Sequence, residues 1–192
     1  MTIMRDGLIK QVESRINAAR NLYLREESFN LMRMAHLAEE IHMAISNQKR
    51  LAFVGNGGSA AEAMHLAAEF TGKCVIDHRP LPVMCLNESQ SALTAIANDY
   101  GVEHIFSRQV QAHLREGDYL IALSTSGKSR NIVNALDVAN GIGVKTVLWM
   151  GDFEFQNEST EVWKVPSRQT PRIQEIHLTW GHILSEVIET LI

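Results

Sequence analysis

His65 and Glu69 are the pair of side chains in this sequence best placed to do chemistry. Four residues apart on a helix, they share one face a turn apart. They could hold a divalent metal, supply an acid and a base, or form a surface ion pair. The pair follows a glycine turn, Gly55-Asn56-Gly57-Gly58-Ser59, which itself follows the apolar run "LAFV". Glycines let backbone N–H groups face an anion, and the helix behind them adds the positive end of its dipole. The turn lacks the third spaced glycine of a dinucleotide fingerprint and the Gly-Lys-Ser/Thr ending of a P-loop. A plain turn with an N-cap serine also fits it.

A second loop, "LSTSGKSRN" at 123–131, again follows an apolar run. Ser124, Thr125, Ser126 and Ser129 set four hydroxyls around Gly127, ahead of a new helix. Hydroxyls and free N–H groups together bind an oxyanion without a fixed positive charge. Capping explains one or two of these hydroxyls, not four. The ligand class that the two loops predict is a phosphorylated small molecule. Near the C-terminus, "RIQEIHLTWGHILSEVIE" places Gln174, His177 and His182 among apolar neighbours, where a histidine is commonly just a core residue. Gln174 and His182 are separated by a helical rise of about 12 Å and roughly 80° of turn. They reach one ion only by leaning toward it from opposite ends, or from two subunits.

Elements must position these groups. The 192 residues suit a single domain, 45% hydrophobic and 21% charged. A net charge of −4 gives no electrostatic case for nucleic acid or an anionic membrane. No apolar run approaches eighteen residues, and the early charges of "MTIMRDGLIKQVESR" do not suit a signal peptide. Two cysteines, Cys74 and Cys85, make no disulfide framework, so a cytoplasmic protein with reduced thiols is expected. The first 49 or so residues read as a helical leader, with an apolar stripe at Leu31, Met34, Leu37, Ala38, Ile41 and Ile45. "LAFVG", "LPVMCL", "DYLIALS", "VKTVLWM" and "TEVWKVP" then alternate with helical stretches near 59–71, 89–97, 103–114 and 129–140. A long last helix starts near Pro171, which suits a first turn. Buried strands alternating with helices predict an α/β, three-layer α/β/α sandwich on a five-stranded parallel sheet, with ligands at the strands' C-terminal edge.

"GNGGSAAEAMHLAAEFTGK", "LTAIANDYG", "IFSRQV", "GDYLIALSTSGKSRNI" and "PRIQEIHLTWGHI", in this order, resemble the sugar isomerase (SIS) domain family, and more closely its phosphoheptose isomerase branch. The likeness runs from about residue 50 to the end and implies one SIS domain over 1–192. It also implies conversion of sedoheptulose 7-phosphate to D-glycero-D-manno-heptose 7-phosphate by a homotetramer with one zinc per subunit. Asn56, Gly57, Gly58, Ser59, Asn98, Asp99, Ser124, Thr125, Ser126, Ser129, Glu69 and Gln174 would then bind substrate. His65, Glu69, Gln174 and His182 would hold the zinc, with Glu69 and His182 as base and acid. Some relatives instead act as partners of the replication initiator DnaA, and others isomerise different sugar phosphates. The chain departs from the branch in "MGDFEFQNES" from Met150, in Lys128 and Lys73, and in Pro171, where an Asp is frequent. Subunit contacts are expected at Met43, Trp180 and Leu184. Neither cysteine falls in a motif, so nitrogen and oxygen ligands alone are expected.

Overall fold

The structure, a computed structural model, describes residues 2–192, with the side chains of 5–25 and 27–192. Five apolar segments form strands: β1 Leu51–Gly55, β2 Val83–Cys85, β3 Tyr119–Leu123, β4 Lys145–Met150 and β5 Thr160–Lys164. All pair in parallel in the order β2-β1-β3-β4-β5. The helices are α1 Thr2–Tyr23, α2 Leu31–Ser46, α3 Gly58–Thr71, α4 Gln90–Tyr100, α5 Ser107–His113, α6 Arg130–Gly141 and α7 Thr170–Glu189. The expected three-layer α/β/α architecture is therefore present.

Successive strand residues point to opposite faces, and the two cores divide on that period. Phe53, Ile121, Leu123, Val147 and Trp149 pack under α2, α3 and α7. Val54, Leu120, Ala122, Leu148 and Met150 pack under α5 and α6. β1 and β3 are buried at every position, as strands covered on both sides must be. The chain leaves β1 toward β2 on one side and returns to β3 on the other. A crevice therefore opens above the C-terminal ends of these two strands, where both loops emerge.

Local signals set the helix starts. The Asn30 side chain accepts from Arg33 N at 3.0 Å, and the Ser89 hydroxyl accepts from Ala92 N at 3.2 Å. Pro171 sits in the first turn of α7. The interior face of α7 recurs at Ile173, Ile176, Trp180, Leu184 and Ile188. Trp180 stacks edge-on against Trp149 and Trp163, and its Nε1 donates to Ser28 O at 2.7 Å.

Three expectations need correction. Trp180 and Leu184 are buried within the chain, at 3% and 0% exposure, so they are core rather than subunit contacts. Their apolar character fits both roles, and only the facing sheet decides. Leu31 is 80% exposed because it begins α2, before the helix meets the core, whereas the other five stripe residues are buried. β2 keeps only three of the six residues in "LPVMCL". Met43 is exposed, as are Leu8, Ile9, Val12 and Ile16 along α1. α4 buries none of its residues.

Candidate active site

α3 and α7 run parallel, and their contacts advance together along a seam. Gln174 Nε2 donates to Ser59 Oγ at 3.3 Å. Six and eight residues further on, His65 Nε2 and His182 Nε2 face each other at 2.8 Å. Beyond the end of α3, Cys74 N donates to Glu189 Oε1 at 2.7 Å. Close approach beside His182 depends on Gly181: a Cβ there would lie 2.2 Å from Leu66 Cδ2. A side chain at 181 would therefore displace either the buried Leu66 or α7 itself, one residue from His182.

The first end of the seam opens into a pocket lined by Asn56, Gly58, Ser59, Leu123, Ser124, Thr125, Ser129, Thr170 and Gln174. No residue of this lining is charged. The two loops are tied to each other. Asn56 Nδ2 donates to Asn131 Oδ1 at 2.8 Å, and Asn131 Nδ2 donates back to Asn56 Oδ1 at 3.0 Å. Gly57 takes φ +56°, a left-handed backbone that favours glycine and turns the chain into α3. Ser126 stands slightly apart, its Oγ accepting from Lys128 N at 3.2 Å. Asn98 and Asp99 are exposed at the end of α4, bonded to each other at 2.7 Å, and do not line this pocket.

The second end gathers His65, Glu69 and His182, whose ligand atoms all lie within 4.8 Å of one another. Glu69 Oε1 is 3.3 Å from His65 Nε2. This is a candidate metal triad within one chain. Around a tetrahedral zinc with bonds of about 2.0–2.1 Å, ligand atoms stand roughly 3.3 Å apart. The donor set fits such an ion if the imidazoles open by about half an ångström. Gln174 lies two turns back along α7 from His182, with its amide nitrogen on Ser59 Oγ.

Sequence reasoning passed over Asn131 and Glu62, besides the pocket residue Thr170. Asn131 was visible only as part of "SRN", and its partner Asn56 is 75 positions away. Glu62 lies midway along the seam on α3, three residues after Ser59 and three before His65. Both its carboxylate oxygens are shut off from solvent without a hydrogen-bond partner. Burial pushes its pKa up to about 7. The Ser59 hydroxyl pulls the other way, without the geometry of a hydrogen bond. The signal for Glu62 was its spacing, since Gly58, Glu62, His65 and Glu69 form one helical stripe. His177, by contrast, is the core histidine that its apolar neighbours suggested. It is wholly buried beside Trp149 and Trp180, and burial lowers its pKa to about 3.

Residues 16–148 match the SIS domain family. A phosphoheptose isomerase of Rhodospirillum rubrum is 47% identical over 142 residues, covering 73% of this chain and 76% of that relative. One from Aneurinibacillus thermoaerophilus is 40% identical over 192 residues, covering 98% and 96%. Among solved structures, phosphoheptose isomerase GmhA from Neisseria gonorrhoeae superposes with a TM-score of 0.87 at 33% identity, over 95% of this chain and 99% of that one. A phosphoheptose isomerase from Francisella tularensis gives 0.88 at 26% identity, over 95% and 98%.

Proposed function

The chain belongs to the SIS domain family and, within it, to the phosphoheptose isomerases. From that membership and the geometry of the seam we propose that it converts sedoheptulose 7-phosphate to D-glycero-D-manno-heptose 7-phosphate. One observation carries the reading: an uncharged oxyanion pocket and a His/Glu triad stand at two points of one helix seam. An open-chain sugar phosphate has a phosphate at one end and its reacting carbons at the other, and this arrangement receives both. A non-enzymatic partner of a replication initiator has no use for the triad.

The pocket residues Asn56, Gly58, Ser59, Ser124, Thr125 and Ser129 would hold the phosphate and fix the sugar's orientation. Glu69 removes a proton from the carbon beside the ketose carbonyl, and His182 protonates the carbonyl oxygen, which gives a cis-enediol. His182 then takes the proton from the hydroxyl on the first carbon, while Glu69 returns its proton to the second carbon. The net reaction transfers no proton to solvent. Oε1 of Glu69 is turned to His65, which leaves Oε2 for the carbon-bound proton.

His65, Glu69 and His182 would hold a zinc ion, with Gln174 as fourth ligand once its amide swings off Ser59. Such an ion supplies Lewis-acid stabilisation of negative charge on the substrate oxygens. Asn98 and Asp99 would contact substrate from a neighbouring subunit of a homotetramer. The apolar stripe of α1 and the unburied α4 favour such an assembly. No described helix is long and apolar enough to cross a membrane, and we place the enzyme in the cytoplasm with its phosphorylated substrate. The test is incubation with sedoheptulose 7-phosphate, with the aldose followed by NMR. Appearance of the heptose 7-phosphate is expected. A folded, metal-loaded protein that leaves the ketose unchanged would refute the assignment.

A further inference from the structure

The pocket read as the phosphate site has no charge of its own, yet two cations from the chain segments that line it share one aromatic ring. Lys128 immediately precedes the pocket residue Ser129, and Arg168 comes two residues before the pocket residue Thr170. Lys128 Nζ lies 6.0 Å from the centroid of Phe153, and Arg168 Cζ lies 5.4 Å from the same ring. Phe153 is held between the two segments. Gly151 N donates to Thr125 O at 3.0 Å, Asp152 N to Ser167 O at 2.9 Å, and Arg168 Nε to Asp152 O at 2.8 Å. Lys128 has no acidic partner among the described residues. Asp152 Oδ2 stands 3.9 Å from Arg168 Nε, but both side chains are mostly exposed, so that pair competes weakly for the guanidinium.

We propose that Lys128 and Arg168, parked on Phe153, form a cationic rim that closes on the outer oxygens of the substrate's phosphate monoester while the neutral loops hold the inner ones. The proposal rests on the reading of the pocket as a phosphate site. Its physical ground is that a phosphate dianion carries more charge than hydroxyls and amides neutralise. Charge-assisted bonds to ammonium and guanidinium groups are about twice as strong as neutral ones. A stacked cation is also held near its target without being spent on a carboxylate. The rim gives this protein, whose net charge is −4, a local positive field where the anion enters.

The test compares wild type with Lys128→Asn/Arg168→Gln and with Phe153→Leu, all as full chains. Binding of inorganic phosphate is measured by calorimetry at low and at physiological salt, alongside turnover of sedoheptulose 7-phosphate. The double variant is expected to bind phosphate at least tenfold more weakly, on the scale of two charge-assisted bonds. Its binding should lose most of its salt dependence, and its KM should rise more than its kcat falls. Phe153→Leu should show the same signs at smaller size. Equal phosphate affinity and equal salt dependence in wild type and double variant would overturn the rim. A wild type that binds phosphate through these cations but isomerises no sugar leaves the rim standing and removes the isomerase. A wild type that isomerises without measurable phosphate affinity removes the rim and leaves the isomerase.

Discussion

At the Ser59–Gln174 end of the α3–α7 seam, the polar groups are hydroxyls, carboxamides and backbone N–H groups, tied across 75 residues by the Asn56–Asn131 pair. At the His65–His182 end, the three polar groups are all titratable, and they converge from only two helices. The difference separates labour. On the proposed reading, neutral donors would bind a phosphate that must not react, and they carry no proton of their own to lose with pH. Titratable donors would move protons, and their placement would have to be held more tightly, because a nitrogen displaced by an ångström no longer meets the carbon or oxygen it serves. Glycine permits the close approach at both ends, Gly58 against Gln174 and Gly181 against the buried Leu66.

The largest effect that tests the comparison is loss of the titratable end alone. Glu69→Gln keeps the side chain's size and removes the base, so kcat should fall by about 10²–10⁴ with the melting temperature nearly unchanged. His182→Ala should fall at least as far and also lower bound metal, read by elemental analysis. A Glu69→Gln protein of near wild-type kcat would reduce the triad to a surface cluster.

Loss at the neutral end should instead appear in KM. Ser129→Ala removes a pocket hydroxyl and is expected to raise KM about tenfold, with a smaller change in kcat from loosened orientation. Ser126→Ala should do less, since that oxygen already serves Lys128 N. Steady-state kinetics on the two variants rank them, and a larger effect at Ser126 would reverse the assignment of hydroxyls.

Gly181→Ala probes the packing that holds the titratable end. Its Cβ would overlap Leu66, at a cost of about 1–3 kcal/mol. Metal affinity should weaken while the affinity for inorganic phosphate holds, because Ser59 and Gln174 lie two turns away. Equal losses at both ends would show that the seam moves as one body.

Sequence disclosed the two ends unequally. The loops were legible because glycine and hydroxyl patterns act locally, within nine residues of chain, directly after strands that their apolar runs announced. His65 and Glu69 were legible as a pair by helical spacing. Their meeting with His182 was legible only through the family resemblance, because it depends on α7 lying parallel to α3 in one register, which no local pattern encodes. The same gap explains Trp180 and Leu184: an apolar helix face looks alike whether its partner is the chain's own sheet or another subunit. Asn131 escaped because its role is a long-range amide pair.

Glu62 lies between the two ends, and its expected effect is the smallest and the most specific in sign. Its carboxyl has neither the hydrogen bonds of the loop end nor the partners of the triad. Burial raises its pKa from 4.5 in the unfolded chain to about 7 in the fold. Between those values the folded state keeps a proton that the unfolded state has released. The stability this group contributes is therefore fully present below about pH 4.5 and is lost as pH rises through 7. Glu62→Gln cannot ionise, so position 62 then adds no pH dependence across that window. Subtracting its melting curve from that of wild type cancels buried His177, which is common to both proteins and whose lowered pKa destabilises the fold only in acid. The difference should move in favour of the glutamine variant as pH is raised from about 5 to about 8. A difference moving the other way would mean that Glu62 is ionised and partnered in the fold, and so belongs with the titratable end of the seam.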